Sequence, residues 1–266
     1  MCQDCGCVET GAITLDGKTV PTPHHPHGSG AHPHGLGAHH HGQGHHLRRE
    51  INLKQAILSQ NDHLAMHNRA HFQQQGITCF NWISAPGSGK TSLLEALLTK
   101  AVLSRPLVVI EGDQATQNDA TRIRQAGGVA TQINTGSACH LDANMVHQAL
   151  HGLDLNPQSF LMIENVGNMV CPTAFDLGER AKIAVVSVTE GEDKPLKYPD
   201  LILTASCLII NKIDLLPYLD FNLDYCLSLV KQVNPNLQIF PLSAKTGEGL
   251  APFVQWLERQ RAETPT

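Results

Sequence analysis

Residues 84–91 read Ser84-Ala85-Pro86-Gly87-Ser88-Gly89-Lys90-Thr91 and lie between an apolar run, Ile77 to Ile83, and a helix-patterned run, Ser92 to Leu98. Strand, glycine loop and helix in that order make a phosphate cradle. Gly87 and Gly89 let backbone N–H groups converge on phosphate oxygens, Lys90 supplies a point charge for the β- and γ-phosphates, and the Thr91 hydroxyl is placed for Mg²⁺. Pro86, Ser88 and Ser92 complete the nucleotide-binding loop. Ser84 stands where the usual pattern has its first glycine.

Outward from this loop, strand-like and helix-like segments alternate. The expected strands are Leu107–Ile110, Val129–Ile133, Phe160–Ile163, Ile183–Val188, Leu208–Ile210 and Gln238–Leu242; the expected helices are Ala115–Ala126, Asp142–His151, Leu223–Val233 and Leu250–Arg259. Such alternation predicts an α/β fold, a P-loop NTPase with a doubly wound, mostly parallel sheet flanked by helices. The second motif is Asn211-Lys212-Ile213-Asp214, at the end of the strand Cys207 to Ile210. A carboxylate at Asp214 can accept from both N1–H and the exocyclic amine of guanine, whereas adenine would oppose it with a bare ring nitrogen. Lys212 offers an alkyl stem to the base, Asn211 ties the loop or reaches the ring edge, and Ser243-Ala244-Lys245 completes the pocket through backbone N–H groups.

Two strand ends between these motifs carry acids: Asp113 after Leu107–Gly112, and Glu164 after Phe160–Ile163. Strand ends of a parallel sheet line the ligand crevice, so Thr91, Asp113 and Glu164 are the expected Mg²⁺ residues and, with Lys90, the expected catalytic set. Gly167 follows Glu164 at the spacing of a switch loop, but Asn168 occupies the place of a water-orienting glutamine, which predicts slow intrinsic hydrolysis.

The 266 residues, 41% hydrophobic, suffice for one buried domain of roughly 190 residues with an N-terminal remainder. We divide the chain into a Cys/His-rich tail over 1–46, expected to be largely disordered, an amphipathic helical segment over 47–75, and a nucleotide domain over 76–266. A net charge of −5 gives no electrostatic reason to expect nucleic acid or an anionic membrane as partner. No membrane-length apolar run and no basic-then-apolar leader are present, which predicts a cytoplasmic protein. Its eight cysteines then read as thiols and metal ligands rather than disulfides.

Residues 21–46 interleave ten histidines, His24 to His46, with Pro, Gly and Ala, a composition that binds borderline metals such as Ni²⁺, Cu²⁺ and Zn²⁺ but cannot build a core. Ahead of it, Cys2, Cys5 and Cys7, with an α-amine exposed by loss of Met1, make a four-donor set that suits tetrahedral Zn²⁺ as well as square-planar Ni²⁺. Within the nucleotide domain, Cys139, His140 and Cys171 form a set one ligand short of a closed tetrahedral site, which water or a second subunit could complete. Cys79, Cys207 and Cys226 read as small buried hydrophobes. In the 47–75 segment, Leu47, Ile51, Ile57, Leu58, Leu64 and Ala65 define the apolar face. His63, His67 and His71 share another face, read, with His147 and His151, as solvated rather than ligating.

Together the three terminal cysteines, the histidine tract, residues 84–91, Cys139-His140, Cys171, residues 211–214 and residues 243–245 resemble the hydrogenase nickel-incorporation GTPases that act in nickel–iron hydrogenase maturation. The resemblance covers nearly the whole chain. It implies GTP hydrolysis, dimerisation with nucleotide, nickel at Cys2, Cys5 and Cys7, and a nickel or zinc site at Cys139, His140 and Cys171 shared across the dimer. It also implies a partner nickel metallochaperone and delivery to the hydrogenase large-subunit precursor. The nearest rival is the urease nickel accessory GTPase, whose usual Cys-Pro-His motif differs from the adjacent Cys139 and His140. A nickel store with a regulatory nucleotide domain is the rival from another class.

Overall fold

The computed structural model describes residues 14–19, 43–114, 118–153 and 155–260, so Cys2, Cys5, Cys7 and the histidines from His24 to His41 lie outside the described residues. The P-loop strand β3 (Thr78–Ser84) is central, and helix α2 (Lys90–Thr99) follows the loop. Strands β4 (Leu107–Asp113), β5 (Val129–Asn134), β6 (Phe160–Glu164), β7 (Ala181–Ser187), β8 (Cys207–Asn211) and β9 (Gln238–Pro241) run parallel to it in the order β5-β4-β6-β3-β7-β8-β9. The doubly wound expectation is met. Strands β3, β6 and β8 are buried at every position, which is why they read as apolar runs without alternation.

Helices cover both faces. Phe80 and Trp82 of β3 pack with Leu93 and Leu97 of α2 and with Phe253 and Trp256 of α9 (Leu250–Arg259). Opposite, Ile110, Ile133 and Ile163 meet Met145 and Val146 of α4 (Ala143–Leu150), while Ile83 and Ile210 meet Leu201 of α7 (Pro199–Thr204) and Val230 of α8 (Leu223–Val233). Between them lie α3 (Asn118–Gln125), α5 (Cys171–Ala174) and α6 (Lys194–Lys197). Asp142 caps α4 by accepting from Met145 N at 2.8 Å, and Asn222 caps α8 by accepting from Tyr225 N at 3.0 Å.

Two ordered elements fall within the span expected as tail. Residues 14–19 form a hairpin, β1 (Thr14–Leu15) and β2 (Lys18–Thr19), whose first strand adds antiparallel to β5, pairing Thr14 with Asn134. Its Asp16-Gly17 turn is a hairpin signal masked by the surrounding low-complexity sequence. Asp16 Oδ1 accepts from Gln132 N at 3.1 Å and pairs with Arg124 at 2.8 Å. Helix α1 (Gln43–Gln75) starts four residues before the expected segment. Its packed face also differs. Asn61, Ala65, Asn68 and Phe72 are buried, while Ile57 is exposed. Asn61 bridges Asp176 O and Ala143 N (2.8 and 2.9 Å), and Asn68 donates to Ala143 O and Leu177 O (2.9 and 3.1 Å). Polar latches, together with the buried Ala65 and Phe72, fix α1 against α4 and the segment after α5.

Candidate nucleotide and metal site

The loop after β3, the ends of β4 and β6, and the loop after β8 converge at the carboxyl edge of the sheet. A cavity of about 500 Å³ there is lined by Pro86, Gly87, Gly89, Lys90, Thr91 and Ser92, with Asp113, Glu164 and Gly167 opposite. A second, of about 770 Å³, shares Gly89, Ser92 and Lys212 and is lined by Asn211, Asp214, Ala244 and Lys245. The two expected motifs therefore open onto adjoining spaces of phosphate and nucleoside size.

Cross-links hold the cradle open. Lys90 Nζ donates to Ser84 Oγ at 2.8 Å, so the serine at the first-glycine position anchors the lysine. Asn211 Nδ2 donates to Ser88 O at 2.9 Å, while its Oδ1 accepts from Lys212 N at 2.8 Å and Ala244 N at 3.2 Å, tying three loops to one amide. Lys212 Nζ donates to Gly87 O at 2.7 Å, and Ser243 Oγ donates to Asp214 Oδ1 at 2.6 Å. Ser88 Oγ reaches Glu190 Oε1 at 2.6 Å. Gly89 adopts φ 94°, and a Cβ there would lie 2.6 Å from Asn211 Nδ2, so the position requires glycine.

Thr91 Oγ1 donates to Glu164 Oε1 at 2.8 Å, bringing two of the three expected Mg²⁺ residues together. Asp113 lines the same cavity, its Oδ1 accepting from Gln114 N at 2.7 Å. The carboxylates that cluster with Glu164 are Glu111 and Asp119, whose oxygens lie within 4.8 Å of one another. Sequence reading missed both. Glu111 is a charge inside an apolar strand and pairs in register with Glu164 across β4 and β6, which only the sheet order reveals. Burial, then the charges of Glu164, Asp113 and Asp119, raises Glu111 to about 9; burial raises Glu164 to about 7 against the opposing pull of Lys90. One oxygen of each, Oε2, is buried with no hydrogen-bond partner among the described residues. Hard oxygen donors left bare beside a P-loop threonine fit Mg²⁺.

The third set also assembles. Cys139, His140 and Cys171 bring their ligand atoms within 4.8 Å of one another, all half-buried. Cys139 and His140 lie between β5 and α4, and Cys171 opens α5. The His140 ring packs against Phe175, centroids 4.0 Å apart and planes tilted by 35°, and burial holds its pKa below the usual imidazole value against the pull of Asp142. Cys139 O accepts from Asn168 Nδ2 at 3.3 Å.

The chain from Glu164 to Cys171 joins the two sites. Asn165 Oδ1 accepts from Leu141 N at 3.0 Å, beside His140, and its Nδ2 donates to Asn81 Oδ1 at 3.2 Å. Gly167 lies against the P-loop: a Cβ on it would meet Pro86 Cγ at 2.9 Å and Pro86 N at 3.2 Å. Phosphate loop and thiol–imidazole set thus share one connecting segment.

The profile of the family described as "CobW/HypB/UreG, nucleotide-binding domain" matches residues 80–241. A curated relative from Rhizobium leguminosarum, "Hydrogenase maturation factor HypB", is 55% identical over 210 residues, 79% of this chain and 70% of its own. The chain belongs to the HypB family of hydrogenase maturation factors. Solved structures of that family agree with its fold. "Crystal structure of HypB from Helicobacter pylori in complex with nickel" is 37% identical with a TM-score of 0.72, covering 78% of this chain and 98% of that one. The Archaeoglobus fulgidus HypB structure is 34% identical with a TM-score of 0.70, covering 76% and 98%.

Proposed function

We propose that this HypB-family chain is a slow GTPase that binds nickel and delivers it to the large-subunit precursor of a nickel–iron hydrogenase. The observation that carries this reading is the Glu164–Cys171 segment, which touches the P-loop at Gly167 and ends at a triad ligand. GTP occupies the adjoining cavities, its phosphates on residues 86–92 with Lys90 neutralising charge, its guanine on Asp214 with Asn211, Lys212 and residues 243–245 around it. Thr91, Glu164 and Asp113, joined by Glu111 and Asp119, hold Mg²⁺. When bound, that ion neutralises charge building on the transferred phosphoryl group. Hydrolysis is slow because Asn168, bonded to Cys139 O, stands in place of a water-orienting glutamine.

Nickel is the cargo. Cys139, His140 and Cys171 hold Ni²⁺ or Zn²⁺ with a fourth ligand from water or a second copy of the chain, and Cys2, Cys5 and Cys7 hold a further nickel ion. Nucleotide biases the 164–171 segment, and with it dimerisation and triad affinity; hydrolysis resets the cycle. The chain acts in the cytoplasm with a HypA-type nickel metallochaperone, and neither nucleic acid nor membrane is a partner. Among the described residues no helix is long and apolar enough to cross a membrane.

The test compares GTP turnover and nickel content in the full chain and in a chain lacking residues 1–46. Hydrolysis and triad metal retained without the tail support delivery. Loss of all specific metal binding with the tail would instead favour a nickel store.

A further inference from the structure

Helices α1 and α4 bring a second group of imidazoles together, away from the nucleotide cradle. His147 and His151 are one helical turn apart on and just after α4, and their Nε2 atoms are 3.3 Å apart with ring planes at 87°. Two nitrogens each about 2.0–2.1 Å from a tetrahedral ion lie about 3.3–3.4 Å apart, so the pair, hydrogen-bonded to each other without metal, already stands at the separation such an ion needs. The tautomer is set from behind. Asn68, buried, spends its Nδ2 on Ala143 O and Leu177 O, which leaves its Oδ1 as the acceptor 3.2 Å from His147 Nδ1. His147 therefore carries its proton on Nδ1 and turns the Nε2 lone pair toward His151. A non-ligating nitrogen donating to an amide oxygen is the arrangement that orients metal-binding histidines.

His67 and His71 are exposed on the facing side of α1, near enough for their charge, with burial and His151, to lower the His147 pKa. An imidazole kept neutral is a ligand rather than a cation.

We propose that the α1–α4 seam is a separate site for a divalent d-block ion, bound by Nε2 of His147 and of His151, with water completing it. The all-imidazole donor set selects Zn²⁺, Ni²⁺ or Cu²⁺ over Mg²⁺ and Ca²⁺. His147 lies on α4, the helix that opens three residues after His140. The site thus gives an ion a resting place on the folded domain beside the cysteine–histidine triad, built from side chains the nucleotide chemistry does not use.

Crystals of the full chain soaked in Zn²⁺, with anomalous diffraction at the zinc edge, should show an ion between the two Nε2 atoms as well as one at the triad. In solution, a chain carrying His147→Gln and His151→Gln should bind roughly one fewer Zn²⁺ at equilibrium dialysis, with GTP turnover unchanged. His151→Gln alone, at an exposed side chain, should give the same loss should the double variant fold poorly. A zinc peak at the triad only, or equal zinc content in all three chains, would overturn the site.

Discussion

The nucleotide cradle and the cysteine–histidine triad lie at the same edge of one sheet, but they are made differently. The cradle is cross-linked: Asn211 alone ties the P-loop, its own loop and the Ala244 loop, and Lys90 and Thr91 are buried against partners. The triad is half-buried and carried by the loop before α4 and the start of the short α5, with the His140 ring against Phe175 and Asn168 donating to Cys139 O. A pre-formed pocket binds with little reorganisation, whereas a loosely held ligand set responds to movement of its loops. On the proposed function, nucleotide is the input and metal affinity the variable.

The comparison breaks most visibly at Lys90. Lys90→Ala should lower GTP turnover by about 10²–10³-fold while leaving zinc content at the triad unchanged. Loss of both would mean that the two regions are one structural unit. The converse variant, Cys139→Ala, removes one donor from a set whose total binding is on the order of 10 kcal/mol, so triad affinity should fall by roughly 3 kcal/mol, with GTP affinity preserved. Parallel titrations of metal and a fluorescent guanine nucleotide would check this.

The acidic cluster sharpens the same contrast through pH. Folding retains a proton on Glu111 and Glu164 that the unfolded chain has lost, so the metal-free protein loses stability as pH rises from about 4.5 toward about 7 for Glu164 and about 9 for Glu111. Glu111→Gln should remove part of that slope and stabilise the metal-free chain near pH 8 by about 1–3 kcal/mol, as read by denaturant unfolding at several pH values. Saturating Mg²⁺ with GDP should shrink the gain, because the cation compensates the buried negative charge that burial and neighbouring carboxylates disfavour. An effect no larger is expected at the segment between the two regions. Gly167→Ala should push the loop off Pro86 at a cost of about 1–3 kcal/mol, weakening nucleotide binding and blunting its influence on metal. An unchanged nucleotide affinity, measured by calorimetry, would show that the contact carries nothing.

Much of this was legible in the sequence because parallel strands buried on both faces leave unbroken apolar runs, and because phosphate and guanine sites need fixed local motifs. Helices α8 and α9 begin and end at the residues expected from periodicity, and Asn211 and Lys90 are placed by their motifs. What escaped was nonlocal. Glu111 became a candidate ligand only once β4 was seen beside β6, and α1 is held by Asn61 and Asn68, whose value depends on carbonyls more than a hundred residues away. The β1–β2 hairpin escaped because two-residue strands gain their stability from the β5 edge rather than from their own sequence.

The most direct measurement is calorimetric titration of Ni²⁺ into the full chain with the pocket empty and filled by a non-hydrolysable GTP analogue, the triad's share isolated by subtracting the Cys139→Ala chain. Coupling through the 164–171 segment predicts a shift in triad affinity of at least about fivefold between the two states. Identical dissociation constants, with the analogue shown to be bound, would contradict it.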